Sequence, residues 1–280
     1  MSNGVSDMQN LDLHRLHVIA IANVTDDSFY SASRVVTVEA VERRIAEVVE
    51  QGATIIDIGG YSSRPGADDI DIETEWARVD LGVGAARRIA PQVAVSVDTF
   101  RAEIVRRTVE KYGAIIVNDI TAGYGDEHMV ELVAELDLPY VAMHMRAEPK
   151  TMQSCTDYTD VVGEVFGYLK SRATELESRG VRRENIILDP GLGFAKSVKQ
   201  NYQLLERLSD LCDAGYPVLV GLSRKSMIYK ILNTTPEESL AGTVALNWEA
   251  LRQGAKIVRV HDVAEAVKIV TIYDKGFRNL

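Results

Sequence analysis

The chain has 280 residues, 46% of them hydrophobic and 26% charged, the composition of an ordinary globular protein. Its net charge of −10 argues against a nucleic-acid or anionic-membrane partner, because neither is attracted to such a field. The two cysteines, Cys155 and Cys212, stand far apart without CxxC or Cys/His spacing, so neither a metal finger nor a disulfide framework fits.

At the N-terminus, Met1 to Gln9 has neither the basic start nor the apolar core of a secretory signal. Residues 1–14 read as a flexible extension. No apolar run approaches the roughly 18 residues of a spanning helix, so the expected compartment is the cytoplasm. A first strand is predicted at 17–22 (HVIAIA), followed by Asn23. Val38, Val41, Ile45, Val48 and Val49 then recur at helical spacing and predict an amphipathic helix. The next strand, 53–58 (ATIIDI), carries Asp57 near its end, with Gly59, Gly60 and Arg64 close behind. Strands at 93–97, 114–117 and 139–143 are followed by Asp98, by Asn118 and Asp119, and by His144 and Arg146. A second apolar stripe, Val162, Val165, Phe166, Leu169 and Leu176, marks another helix. The strand at 185–188 is followed by Asp189, and that at 217–220 by Ser223, Arg224 and Lys225. Thr235-Pro236-Glu237-Glu238 has the form of a helix start: a capping threonine, proline at the first position and glutamate three residues after the cap. The last strand, 256–260, holds Arg259 and is followed by His261.

These strand runs are near-continuously apolar, as expected of parallel strands buried on both faces. No Pro/Gly/Ser-rich linker divides them, so residues 1–280 read as one domain. Eight strand–helix units predict an α/β fold, a single closed (β/α)8 barrel, with an open doubly wound sheet as the second choice. In a barrel, the polar residues after the strands converge on the C-terminal rim, where this fold builds its active sites. Taken singly each has a plainer explanation. Asp98-Thr99 and Asn118-Asp119 suit helix caps, and Gly59-Gly60 suits a turn. His144 and His261 suit satisfied structural histidines, and Met143, Met145 and Met152 suit packing. Their joint occurrence after all eight strands is what points to a site.

The segments carrying these residues resemble the dihydropteroate synthases. Asn23-Val24-Thr25-Asp26-Asp27-Ser28-Phe29 is similar to the family's first pattern, and Ile56 to Gly66 to its second. Ser96-Val97-Asp98-Thr99, Asn118-Asp119-Ile120, Met143-His144-Met145-Arg146, Asp189 to Phe194, Ser223-Arg224-Lys225-Ser226 and Arg259 to Val263 follow in order. The likeness covers nearly the whole chain.

The resemblance implies a transferase that joins a dihydropterin diphosphate to p-aminobenzoate, working in the cytoplasm as a homodimer. Asp189 would accept both donors of the pterin's guanidine-like edge, and Asn118 would serve the remaining ring nitrogens. Asp98 would be the second pterin carboxylate, and Lys225 would donate to the pterin carbonyl and N5. Arg259 would lay its flat guanidinium on the ring while reaching an anion. Met143, Phe194 and Gly221 would complete the pterin site, with Asp98, Lys225 and Arg259 as its catalytic members. Asn23, Ser63, Arg64, Arg259 and His261 would hold the diphosphate, Asn23 also touching Mg²⁺. Ser63, Pro65, Phe194, Lys225 and Ser226 would border p-aminobenzoate. The chain departs from the pattern in its first two loops, where Asp26 replaces proline, Tyr30-Ser31-Ala32-Ser33 replaces a glycine-bearing run, Tyr61 replaces glutamate and Ser63 replaces threonine. Ala147 replaces a glycine after the fifth strand. The pterin floor is therefore expected intact and the second-substrate side altered. A weakly active pterin-binding paralogue, a pterin-dependent methyltransferase and a barrel enzyme acting on another phosphorylated metabolite are the rival readings.

Overall fold

The computed structural model describes residues 11–25, 37–62, 69–146 and 155–278. Eight parallel strands follow the predicted runs closely: β1 His17–Ile21, β2 Ile55–Gly59, β3 Ala94–Asp98, β4 Ile116–Asp119, β5 Tyr140–Met143, β6 Ile186–Asp189, β7 Leu219–Val220 and β8 Ile257–Val260. They form one sheet in the order β6-β5-β4-β3-β2-β1-β8-β7. Its two ends meet where Leu188 bridges Val218 and the Leu188 amide donates to the Pro217 carbonyl at 2.9 Å. The sheet thus closes on itself as a (β/α)8 barrel, and the open-sheet alternative falls.

The helices come from the predicted apolar stripes. In α1 (Val38–Glu50) the Thr37 hydroxyl caps the first turn by accepting from the Ala40 amide at 3.2 Å, and Val41, Ile45 and Val48 are buried. Val38, the first member of that stripe, is 43% exposed, since it lies in the first turn beyond the covered face. In α5 (Val161–Ser178) Asp160 caps Gly163, and Val165, Phe166, Leu169 and Leu176 face the sheet, while Val162 turns partly away. The others are α2 (Ile72–Ile89), α3 (Ala102–Tyr112), α4 (Met129–Glu135), α6 (Val198–Glu206), α7 (Ser209–Cys212), α8 (Ser226–Leu232), α9 (Leu240–Arg252) and α10 (Val263–Tyr273). No helix among the described residues is long and apolar enough to cross a membrane.

Two expectations need correction. The Thr235–Glu238 start does not open a helix: α9 begins at Leu240. The Thr235 hydroxyl does accept from the Glu238 amide, at 3.4 Å, but the Ser239 amide closes back on Pro236 as a single turn, and the helical ladder restarts with the Thr243 amide on the Ser239 carbonyl. Of residues 1–14, read as a flexible extension, 1–10 lie outside the described residues, while Leu13 is packed at 4% exposure.

Leu13 belongs to the smaller of two apolar cores. Ile19, Ile55, Ile116, Val141, Ile187, Leu219 and Ile257, one each from seven strands, fill the barrel with Leu13 among them, while Ala94 of β3 packs partly against the set. Residues of opposite parity, such as Val18, Ile56, Val95, Val117, Leu188 and Val258, join the larger core beneath the helices. This period of two is the pleat of the strand. Burying each such branched side chain stabilises the fold by roughly 1.5–3 kcal/mol. The barrel floor is therefore closed, and chemistry is confined to the other end.

Candidate active site at the barrel mouth

The alternation that fills the floor also selects the residues above it. Two positions beyond the floor residue, the strands carry Asp57 after Ile55, Asn118 after Ile116, Met143 after Val141, Asp189 after Ile187, Gly221 after Leu219 and Arg259 after Ile257. In β3 the sequence Ala94, Ser96, Asp98 extends the same face by one more step. Parallel register aligns Asp57 with Ser96, Gly59 with Asp98, Asp98 with Asn118 and Met143 with Asp189. An apolar plug with a polar layer on top is thus written by the pleat into β2, β3, β4, β6 and β8.

Arg259 is the hub of that layer. Its Nε donates to Asp57 Oδ2 at 2.7 Å, and its Nη2 lies 2.6 Å from the same oxygen and 2.9 Å from Asp98 Oδ2. The Asn118 side-chain amide donates to both oxygens of Asp57, at 3.4 and 3.2 Å. Asp57 is fully buried, and the sequence reading missed it as a site residue. It stands in a motif that was quoted, and the two-residue offset from Ile55 is the signal that singles it out. Burial pushes the Asp98 carboxyl up to about 7, with Arg259 opposing and Asp57 adding to the rise. Arg259, expected to lay its guanidinium on a ligand ring, is edge-bonded to two carboxylates, which fixes the plane in which that face can be offered.

On the opposite side, Asp189 Oδ1 accepts from the Gly191 amide at 2.7 Å, and burial raises its carboxyl while Lys225 pulls against the rise. The loop that follows is tightly drawn. Gly191 has φ +63°, and a Cβ there would meet the His144 carbonyl at 2.2 Å, so only glycine fits. Lys225 donates to the Leu192 carbonyl, its ammonium 4.9 Å from the Phe194 ring centre. Burial brings the Lys225 ammonium down to about 8, with Asp189 opposing and Arg259 adding. Lys196, which the sequence reading did not select, is buried and donates to the carbonyls of Gly191 and Phe194 at 3.0 and 2.9 Å and to His144 Nδ1 at 3.1 Å. A lysine in a turn-rich segment looks solvated in sequence, so nothing there announced it.

The remaining expected residues ring this centre. Asn23 Oδ1 is buried with no hydrogen-bond partner among the described residues, and a Cβ on Gly59 would meet it at 2.8 Å and Asp98 Cβ at 3.4 Å. Asn23 and Asp98 therefore flank Gly59. His261 receives a contact from Ser223 Oγ at 3.2 Å on Nδ1, its own amide donating to that oxygen. Burial first, then Arg259 and Arg224, hold its imidazole down at about 4, so it is a neutral donor at pH 7. Met143 is buried beneath Gly191, and Ser226 opens α8 directly after Lys225. Ser63, Arg64 and Pro65 lie outside the described residues, as do Asp26, Tyr30 to Ser33, Ala147 and Met152.

Several rim residues take structural roles. In Asn118-Asp119 the first residue enters the barrel, while Asp119 accepts from the Thr121 and Gly123 amides, the Thr121 hydroxyl and the Tyr140 hydroxyl. In Asp98-Thr99, likewise, Thr99 donates to the buried Glu75 at 2.6 Å, and Glu75 also holds Arg101. Arg224 pairs with Asp262, tying the loop after β7 to the one after β8. His144 is buried and partnered by Lys196. No group of three or more His, Cys, Asp or Glu among the described residues is placed to cage a metal.

The family model described as pterin binding enzyme matches residues 19–261. The dihydropteroate synthase of Escherichia coli (strain K12) is 42% identical over 266 residues, spanning 95% of this chain and 93% of the relative. Among solved structures, Xanthomonas albilineans dihydropteroate synthase with 4-aminobenzoic acid superposes with a TM-score of 0.85 at 39% identity, covering 94% of each chain. The same enzyme in complex with 7,8-dihydropteroate gives 0.82 at 37% identity, again over 94% of each chain. Yersinia pestis dihydropteroate synthase with a sulfonamide drug gives 0.89 at 37% identity, covering 96% of this chain and 97% of that one.

Proposed function

We propose, given that the chain belongs to the pterin-binding enzyme family and within it to the dihydropteroate synthases, that it joins a dihydropterin diphosphate to p-aminobenzoate. The C–O bond between the pterin methylene and the diphosphate breaks, the amine nitrogen forms a C–N bond to that carbon, and the amine gives up a proton. 7,8-Dihydropteroate and diphosphate are the products. The observation carrying this reading is the gathering of Asp98, Asn118, Asp189, Lys225 and Arg259 at one mouth, over a closed apolar floor.

Each residue suits its assigned part. Asp189 offers a carboxylate to the paired donors of the pterin edge, and Asn118, steadied on Asp57, offers the complementary amide beside it. Met143, Phe194 and Gly221 supply the walls, and Lys225 donates to the pterin carbonyl and N5. Asp98 faces positive charge developing on the ring as the leaving group departs. Arg259 and His261, with Asn23 and by their motif Ser63 and Arg64, take the diphosphate. Ser63, Pro65, Phe194, Lys225 and Ser226 border p-aminobenzoate. Catalysis is orientation and electrostatic stabilisation, with no covalent nucleophile.

Mg²⁺ fits one feature of this mouth, the unpartnered buried oxygen of Asn23, which gives a hard cation one protein oxygen where phosphate oxygens supply others. The ion would neutralise charge on the departing diphosphate. The chain acts as a homodimer in this reading. Ile231, Leu232 and Leu240 on α8 and α9, and Ile272 of α10 with Phe277 beyond it, are exposed apolar side chains that a second copy would cover. The test is direct. Purified protein with the pterin diphosphate, p-aminobenzoate and Mg²⁺ is expected to release pyrophosphate and form dihydropteroate. Pterin binding without turnover would make it a non-catalytic paralogue instead.

A further inference from the structure

We propose that Lys196 is a positioning residue for the pterin subsite: its ammonium fixes the Gly191 and Phe194 carbonyls, with the His144 imidazole as third acceptor, and so sets the Asp189 carboxylate and the Phe194 ring. This rests on the reading that the mouth takes a pterin.

Lys196 is 5% exposed, and burial brings its ammonium down to about 7, with the Asp189 carboxylate opposing through space and Lys225 adding. A buried ammonium with no carboxylate in bonding contact is costly unless its protons are all used. Here the three protons meet three acceptors, Gly191 O at 3.0 Å, Phe194 O at 2.9 Å and His144 Nδ1 at 3.1 Å. Burial, then the neighbouring Lys196, holds the His144 imidazole down at about 3, so it is neutral, and with its proton on Nε2 the Nδ1 accepts from Lys196. The lysine is thus satisfied only as a three-way donor in this one geometry.

What it grips is the segment that presents the ligand-facing groups. The Gly191 carbonyl is held by Lys196 and also takes the Phe194 amide at 3.0 Å, while the Gly191 amide holds Asp189 Oδ1 at 2.7 Å. One residue therefore links the ammonium to the carboxylate. Asn201 takes the Gly193 amide at 2.6 Å and donates to the Lys196 carbonyl at 3.2 Å, so the loop is anchored on α6 as well. Lys225 reaches the Leu192 carbonyl from the other flank and stands by the Phe194 ring. Two lysines divide the work: Lys225 is available to ligand, and Lys196 is wholly engaged with backbone and His144.

The test compares Lys196→Met, His144→Phe and a control, Asn185→Ala, at the far end of β6, where Asn185 bonds Asp137. His144→Phe keeps an aromatic ring against Tyr168, whose ring lies edge-on at 5.0 Å, and removes the acceptor. The readouts are calorimetric affinity for 6-hydroxymethylpterin, and KM for p-aminobenzoate at saturating pterin diphosphate. Lys196→Met is expected to weaken pterin binding by about tenfold or more, in keeping with one charge-assisted contact, and to raise the p-aminobenzoate KM by a smaller factor through the Phe194 ring that borders both substrates. His144→Phe is expected to shift pterin affinity in the same direction, and the double variant to match Lys196→Met, since the two act as one unit. Should Lys196→Met fail to fold, His144→Phe carries the decision alone. Unchanged pterin affinity in the folded variants overturns the proposal, as does an equal loss in Asn185→Ala. Wild-type protein that binds no pterin overturns the reading of the site itself.

Discussion

The two sides of the barrel mouth are held by different means. On the side of β2, β3, β4 and β8, the charged groups hold one another: Arg259 bridges Asp57 and Asp98, and Asn118 steadies Asp57. On the side of β6 and β7, the charged groups are held by backbone, with Asp189 on the Gly191 amide, Lys225 on the Leu192 carbonyl and Lys196 on two further carbonyls. The first arrangement is mutually dependent, because removing one member leaves buried charge without a partner. The second ties each group to loop backbone, with Asp189 and Lys196 sharing Gly191, and hydrogen bonding to backbone amides or carbonyls takes the place of a partner charge. A ligand therefore meets a preformed electrostatic wall on one side and a set of backbone-held polar groups on the other.

The largest expected effect is on the interlocked side. Arg259→Met strands Asp57 and Asp98 together, so it should cost about 3–5 kcal/mol of stability as well as activity, read by urea unfolding. Activity lost with stability kept would break the comparison. Next comes the backbone-held side, where Asp189→Asn preserves an oxygen for the Gly191 amide but loses the charge. Pterin affinity should fall about 100-fold while unfolding free energy moves less than about 1 kcal/mol. An equal loss of stability would show that the two sides are built alike.

The pH profile separates the sides by sign. Asp98, raised to about 7, must be ionised, so kcat/KM should fall as pH drops through that value. Lys225, lowered to about 8, must be protonated, so kcat/KM should fall as pH rises through that value. Lys225→Arg should remove the alkaline limb and leave the acid limb in place. A profile flat from pH 6 to 9 would refute both assignments. The smallest effect belongs to His261, a neutral donor at pH 7. His261→Gln retains a donor, so its loss in kcat/KM should stay under about tenfold; a thousandfold loss would mean that the imidazole acts as a cation.

Most of the fold was legible because each strand is an apolar run bounded by polar residues, and the strands follow one another in order around the barrel. The residues gathered at the mouth were legible where a polar residue followed such a run, as with Asp98, Asn118 and Asp189. Asp57 and Arg259 both sit inside their strands; Arg259 stood out through its motif, whereas Asp57 is identified by the pleat once Ile55 is known to face the barrel. Lys196 escaped for a different reason, since burial of a loop lysine depends on carbonyls brought together by positive-φ glycines and not on local pattern. The misread start at Thr235 shows the limit of capping signatures, which specify one turn but not its continuation. Asp119 and Thr99 show the converse, since their neighbours enter the barrel while they brace the loops.

The measurement that bears most directly on this account is a crystal structure with 6-hydroxymethylpterin diphosphate bound. The account requires the pterin edge on Asp189 and Asn118, the Arg259 bond to Asp57 retained, and the diphosphate beside Asn23 and His261. A pterin seated away from Asp189, or an Arg259 that has left both carboxylates to reach the ligand, would contradict it.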